Sequence, residues 1–232
     1  LCDSNKRDLS ADLVHLEKIF KEESPSTLMF VSVLGLVPEM DKVVELCEKY
    51  DVILLEDTCE SMGCKYKQVK LGTFGKMSSF STYSLYTFYY QGFNVRATDL
   101  QAYIGLTQID KLDAWGVRRE YNYLTYQELV KNDYWKPSTE LSDFNSNFAY
   151  PVIHPNRDRI VHELERNGVE VRPMICGSMG TQPFYVKEYG RLELPNVTEI
   201  DRYGFYVPNN PHITDGEIVF ISNIINGEID RV

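Results

Sequence analysis

Residues 52–84 read VILLEDTCESMGCKYKQVKLGTFGKMSSFSTYS. The run Val52-Ile53-Leu54-Leu55 has the apolar character of a buried strand, and it stops on the acidic pair Glu56-Asp57. Open α/β sheets bind their ligands beyond the carboxyl ends of their strands, so an acid at this position faces the place where a site forms. A second β-like run follows, Met77-Ser78-Ser79-Phe80-Ser81-Thr82-Tyr83, rich in hydroxyls. One acid and a hydroxyl cluster on neighbouring strand ends can hold opposite ends of a small charged aromatic cofactor.

The flanking sequence supplies the rest of an α/β unit. Residues 10–22 (SADLVHLEKIFKE) place Leu13, Leu16, Ile19 and Phe20 at helical spacing, with Ser10 as the expected N-cap. Residues 28–34 (LMFVSVL) read as a buried strand, residues 40–50 as an amphipathic helix with Val43, Val44, Leu46 and Cys47 inward, and residues 51–56 as the next strand. Strand–helix–strand order implies parallel strands joined by a right-handed crossover.

Helices are expected over 99–112 and 117–130, the second with Tyr121, Leu124 and Leu129 in its packed stripe. The turn-like text of 134–147, with Pro137, Ser138, Ser142, Asn145 and Ser146, marks a domain boundary. Beyond it come a strand (148–153), a helix (156–167) closed by Gly168, and a strand (169–175). A terminal helix (214–226) has Thr214 as its cap and Glu217 at the capping-box position. The expected organisation is a large α/β domain over 1–145, with a mixed, mostly parallel sheet flanked by helices, and a smaller α+β domain over 146–232.

Composition narrows the function classes. The 232 residues are 43% hydrophobic, enough for a substantial core. A net charge of −10 speaks against nucleic acid as a general partner, though two or three local donors suffice for a sugar nucleotide. No apolar run approaches the ~20 residues that span a bilayer, so no membrane partner is expected. The five cysteines, Cys2, Cys47, Cys59, Cys64 and Cys176, lack zinc spacing and suit reduced thiols in the cytoplasm. The four histidines are dispersed, so no metal site is expected.

Further motifs carry a resemblance. They are Gly92-Phe93-Asn94-Val95-Arg96-Ala97-Thr98-Asp99-Leu100-Gln101-Ala102, then Ile104-Gly105-Leu106, Gln108 and Lys111-Leu112-Asp113. Val171-Arg172-Pro173 and Gln182-Pro183-Phe184-Tyr185 complete the set. With residues 52–84 they resemble the sugar-nucleotide aminotransferase and 3-dehydratase family (DegT–StrS type), pyridoxal-phosphate (PLP) enzymes of aminotransferase fold type I. The matches run from about Asp8 to Ile225.

The resemblance implies roles for individual residues. Asp57 would sit beside the pyridine nitrogen of PLP and favour its protonated form, which the cofactor needs to act as an electron sink; read on its own, it is a strand-end acid capping a loop. Glu60 stands where many members carry Gln or His near the cofactor ring, and is a departure from that pattern. Glu56 is expected to be more peripheral or solvent-facing. Ser81 resembles the hydroxyl that binds the PLP phosphate, although alternating Ser and Phe is also ordinary strand chemistry. Asn94 resembles a residue that reaches the partner subunit's phosphate, which implies a homodimer with composite sites; alone it is a turn Asn after Gly92. Arg172 precedes a Gly/Ser/Met loop and suits contact with the sugar or diphosphate, or else is a surface arginine on an edge strand. Arg96 and Asp99 read as a local structural pair, and the aromatic run 86–90 with Phe93 as core or dimer interface.

The expected catalytic residue is missing. In the family a lysine that holds PLP as a Schiff base, or a histidine replacing it in the dehydratases, lies just after the motif matching Phe80-Ser81-Thr82-Tyr83. Here Ser84 runs straight into Leu85-Tyr86-Thr87-Phe88-Tyr89-Tyr90, and no lysine stands between Lys76 and Lys111. The start, Leu1, also resembles the middle of the family's large domain. Either segments are absent at the start and after Ser84, or the chain is a true remnant. The first is preferred, because deletion there would strip sheet and helix from a marginally stable fold.

The implied activity is transfer of an amino group from glutamate to a nucleotide-linked 3- or 4-keto sugar. The alternative within the family is 3-dehydration of a nucleotide-linked 4-keto-6-deoxyhexose, towards which Asp57-Thr58-Cys59 and Arg172-Pro173 lean. An inactive relative serving as a binding partner is the alternative of another class. An unrelated nucleotide-binding α/β protein is disfavoured, because no glycine-rich phosphate fingerprint follows either early strand.

Overall fold

Two hydrophobic cores organise the chain in a computed structural model, which describes residues 1–79, 99–175 and 177–228. The first is built from α1 (Leu13–Glu23), β1 (Thr27–Val31), α2 (Met40–Lys49) and β2 (Ile53–Asp57). A two-stranded ribbon, β3 (Lys65–Tyr66) and β4 (Val69–Lys70), and then β5 (Met77–Ser79) follow. The strands β1-β2-β5 form a parallel sheet in that order, as the strand–helix–strand reading requires.

The pleat sends alternate side chains to opposite faces. Phe30 and Leu54 point into the core with Leu16 and Phe20 of α1 and Met40, Val43 and Cys47 of α2. Met29, Val31 and Ile53 point the other way and are exposed. Among the described residues, helices therefore cover one face of this sheet rather than both.

Two boundaries differ from expectation for local reasons. Asp12, not Ser10, caps α1, its Oδ1 accepting from the amides of Val14 (3.0 Å) and His15 (2.9 Å). Ser10 is buried and instead hydrogen-bonds the Asp8 carboxylate through its amide and hydroxyl. The strand expected to reach residue 34 stops at Val31, because Leu34 turns left-handed (φ 52°) within a short 3-10 turn, Val33–Gly35.

After α3 (Asp99–Ile109) and α4 (Leu112–Leu129), the second core gathers β6 (Ala149–Ile153), α5 (Arg157–Arg166), β7 (Arg172–Pro173), α7 (Pro195–Tyr203), β8 (Gly204–Pro208) and α8 (Asp215–Asn226), while α6 (Pro183–Tyr189) buries no residue. Its antiparallel sheet runs β6-β8-β7. Tyr123 and Tyr126 of α4 belong to this core, and Tyr126 stacks on Tyr150 at 4.8 Å between ring centroids. The expected stripe of Tyr121, Leu124 and Leu129 is corrected. Tyr121 and Leu124 are exposed and Leu129 is partly buried, while Gly116, Asn122, Tyr123 and Tyr126 form the buried face. The domain boundary expected near residue 145 thus falls after a helix that packs with the second core.

The strand expected over 169–175 shrinks to Arg172–Pro173: proline cannot donate to the ladder, and Ile175 takes a left-handed φ of 53°. The terminal helix forms as read, with both arms of the Thr214–Glu217 capping box in place. Gly168 follows α5 with φ 77°. Two further helices, α6 and α7, each begin with Pro at the first position.

The N-terminal segment ties the two cores together. Asp3 Oδ1 accepts from the amide of Val197 at 3.1 Å, so a residue at the start of the chain caps α7, whose own N-cap residue Leu194 supplies no side-chain bond. Lys6 pairs with Glu199, and Trp135 Nε1 donates to the Lys6 carbonyl.

Candidate active site

The carboxyl ends of β1, β2 and β5 meet in register, with Asp57 opposite Val31 on one side and Ser79 on the other. Neighbouring residues of a strand face opposite ways, so Glu56 and Asp57 cannot share an environment. Glu56 turns to the helix-covered side and is 1% exposed. Its Oε2 accepts from the Gly72 amide (2.7 Å), and its Oε1 from those of Phe74 (2.7 Å) and Gly75 (2.6 Å). The expectation of a peripheral or solvent-facing Glu56 is therefore corrected: its carboxylate organises the loop that leads into β5. Gly75 itself allows a close approach, because a Cβ there would stand 2.7 Å from the Leu54 carbonyl oxygen.

Asp57, on the other face, is half-buried at the carboxyl end of the central strand. Its Oδ1 accepts from the Cys59 amide at 3.2 Å, and its backbone carbonyl accepts from the Ser32 amide at 3.0 Å. Among the described residues it forms no ion pair, which leaves carboxylate capacity for a cationic group. Cys59 beside it is pushed up to about 11 by desolvation and then by the Asp57 carboxylate, so its thiol stays protonated at neutral pH and is a poor nucleophile.

Glu60 folds back over the end of β1. Its Oε2 accepts from the Leu34 amide at 2.8 Å. Burial pushes its carboxyl above the usual carboxylate range; the Leu34 N–H opposes that rise and the nearby Asp57 charge adds to it. Gly35, next in sequence, is left-handed (φ 78°), and a Cβ there would lie 3.0 Å from the Glu60 carbonyl and 3.1 Å from Asn147 Cα. Cys64 Sγ seals the same junction, donating to the Gly35 carbonyl (3.3 Å) and accepting from the Ser146 amide (3.3 Å). Burial pushes this thiol up to about 12, and it is structural.

Asp57 and Glu60 are thus brought together. Arg172 is not joined to either: it is exposed on the edge strand β7, with Nε and Nη2 on Glu170 Oε1 at 3.0 and 2.5 Å. Ser81 and Asn94 lie outside the described residues, as do the Ser84–Leu85 junction and the aromatic run 86–90. No cluster able to hold a metal occurs among the described residues, and no described helix is long and apolar enough to cross a membrane. Sequence reasoning missed Ser32, buried beside Asp57 with a hydroxyl that has no partner among the described protein atoms, and the left-handed turn at Leu34. The small residue Gly35 directly after an apolar run was the available signal.

Known proteins share the sequence pattern and the fold. The sequence profile of the DegT/DnrJ/EryC1/StrS aminotransferase family matches residues 1–90 and 82–226. GDP-perosamine synthase of Caulobacter vibrioides is 23% identical over 261 residues, covering 94% of this chain and 70% of that protein. That aligned length exceeds the 232 residues of the chain, so the relative carries residues that have no counterpart here. Helicobacter pylori PseC, an aminotransferase of pseudaminic acid biosynthesis, superimposes with a TM-score of 0.85 at 20% identity, over 98% of this chain and 73% of its own. The E. coli GDP-4-keto-6-deoxy-D-mannose-3-dehydratase with bound hydrated PLP does so with a TM-score of 0.80 at 20% identity, over 97% and 73%. The expected α/β fold of the PLP-dependent aminotransferases is therefore present, and the chain belongs to the DegT/DnrJ/EryC1/StrS aminotransferase family.

Proposed function

We propose that the protein is a PLP-dependent aminotransferase that moves the amino group of glutamate to a nucleotide-linked 3- or 4-keto sugar. The observation that carries this reading is Asp57: a half-buried carboxylate at the carboxyl end of a parallel strand, with no cation paired to it among the described residues. That donor set fits PLP, whose pyridinium N–H needs an anionic acceptor in a partly desolvated place. When bound, PLP supplies the electron sink that stabilises negative charge at the carbon losing its proton. Asp57 would hold the ring proton, Ser81 would bind the phosphate, and Arg172, released from Glu170, would meet the diphosphate of the substrate.

The group that moves the proton at the reacting carbon is outside these residues. Neither lysine nor histidine stands between Lys76 and Lys111. The family profile matches in two stretches that overlap at 82–90, and the alignment with GDP-perosamine synthase is longer than the chain, so a stretch that the family carries has no counterpart between them. Asp57-Thr58-Cys59 and Arg172-Pro173 support the second reading, a 3-dehydratase with histidine in the lysine's place.

A homodimer with shared sites fits the surface. Tyr103, Leu106 and Ile109 of α3, and Val117, Tyr121 and Leu124 of α4, are all exposed, an apolar area that isolated proteins rarely leave uncovered. The thiols and the absence of a spanning helix among the described residues accord with a cytoplasmic enzyme.

The test is nitrogen transfer. Protein, PLP, 15N-glutamate and GDP-4-keto-6-deoxy-D-mannose are incubated, and the sugar is read by mass spectrometry. Label in the sugar, lost in Asp57→Asn, is the expected result. Loss of the C3 hydroxyl without label would select the dehydratase, and an unchanged sugar would count against both enzymes.

A further inference from the structure

Leu34 is held from both sides of its peptide. Its N–H donates to Glu60 Oε2 at 2.8 Å, and its carbonyl accepts from Asn147 Nδ2 at 2.6 Å. Its side chain is fully buried in the second core, while the strand it leaves, β1, belongs to the first. A left-handed non-glycine residue persists only where its surroundings over-determine it. Here the surroundings are a carboxylate from the loop after Asp57 and an amide from the segment entering β6. Asn147 is itself gripped, its carbonyl accepting from Asn209 Nδ2 at 2.7 Å. Leu34 is thus the joint at which the edge of the sheet, the Asp57 loop and the second core meet.

Glu60 has no cation partner among the described residues, and its one side-chain bond runs to Leu34 rather than towards Asp57. We propose that Glu60 is a positioning residue, a latch that locks Leu34 in its left-handed turn and so fixes the rim on which Asp57 opens against the second core. Its effect on the cofactor rests on the PLP reading above; the latch itself does not. In this role a glutamate differs from a side chain that touches the ring, because its carboxyl is occupied below the site by the backbone of β1's terminal turn. Glutamine in the same place would keep an acceptor oxygen for the Leu34 N–H, whereas alanine would leave that amide without one.

Hydrogen exchange of the Leu34 amide tests this in the purified, PLP-free protein, followed by titration with PLP monitored by absorbance. Glu60→Ala is expected to speed exchange at Leu34 by about 10- to 100-fold, the range for loss of a hydrogen bond to a charged group. The amides of α8 should be unchanged, which shows that the fold is intact. Glu60→Gln should return Leu34 to within a few-fold of native. The PLP midpoint should follow the same order, weakened by alanine and rescued by glutamine. Unchanged exchange at Leu34 in a folded Glu60→Ala protein would overturn the latch. So would a PLP midpoint that moves while Leu34 stays protected, since Glu60 would then act on the cofactor directly. If the native protein binds no PLP, the functional reading fails and the exchange arm still decides the latch.

Discussion

Glu56→Ala removes the acceptor of three amides, those of Gly72, Phe74 and Gly75, in a site closed to water. Each stranded donor costs ~1–3 kcal/mol, and the three share one loop, so a loss of about 4 kcal/mol is expected in urea unfolding. Glu56→Gln keeps one acceptor oxygen and should lose about half of that. Glu60 adds a pH dependence. Its folded-state carboxyl titrates above the unfolded reference of 4.5, so what it adds to stability is complete below that value and lost as pH rises through the raised one. Glu60→Gln should therefore gain melting temperature relative to native at neutral pH and show a smaller gain near pH 4. A larger gain in acid would refute the assignment. The two acids also show what could be read from sequence. Strand alternation places Val52, Leu54 and Glu56 on one face and Ile53, Leu55 and Asp57 on the other. With Asp57 on the site face, Glu56 has to face the core; composition alone favours solvent, because the three amides that donate to it there come from a loop with no sequence mark.

The helix α4 carries two apolar stripes. One, with Tyr123 and Tyr126, enters the second core; the other, Val117, Tyr121 and Leu124, faces out. Helical periodicity identifies both and cannot rank them, so Tyr121 and Leu124 of the expected stripe face out while Leu129 packs against the core. The buried tyrosines are well provided for, Tyr126 donating to the Pro208 carbonyl at 3.1 Å and Tyr123 accepting from Gln127 at 3.3 Å. Tyr123→Ala should cost ~3–5 kcal/mol, as large-to-small changes in a core do, while Leu124→Ala should stay within about 0.5 kcal/mol in the monomer. Denaturant midpoints of the two variants decide between the stripes. Caps follow a similar logic. The Thr214–Glu217 box is local and was legible, but the cap of α7 comes from Asp3 across the molecule and was not. Asp3→Ala should weaken α7 by about 1 kcal/mol, seen as faster exchange of the Val197 amide.

At the scale of the molecule, the parallel order β1-β2-β5 was legible because apolar runs and an intervening amphipathic helix leave few topologies. The reach of the second core was not, since nothing in α4 announces that its inner face belongs with β6 and α8 rather than with the first sheet. The outer stripes of α3 and α4 carry the dimer prediction. Leu106→Glu with Val117→Glu should turn a dimer into a monomer in sedimentation equilibrium, and a native protein already monomeric would refute the shared-site arrangement. The central claim, that Asp57 anchors PLP at the end of β2, is tested most directly by the visible spectrum of the purified, full-length protein with PLP, before and after borohydride, with intact mass. The account predicts a visible band that borohydride converts to a permanent phosphopyridoxyl adduct, absent in Asp57→Asn. Bound PLP without an adduct would replace the aminotransferase with the dehydratase, and no bound PLP in any form would contradict the account.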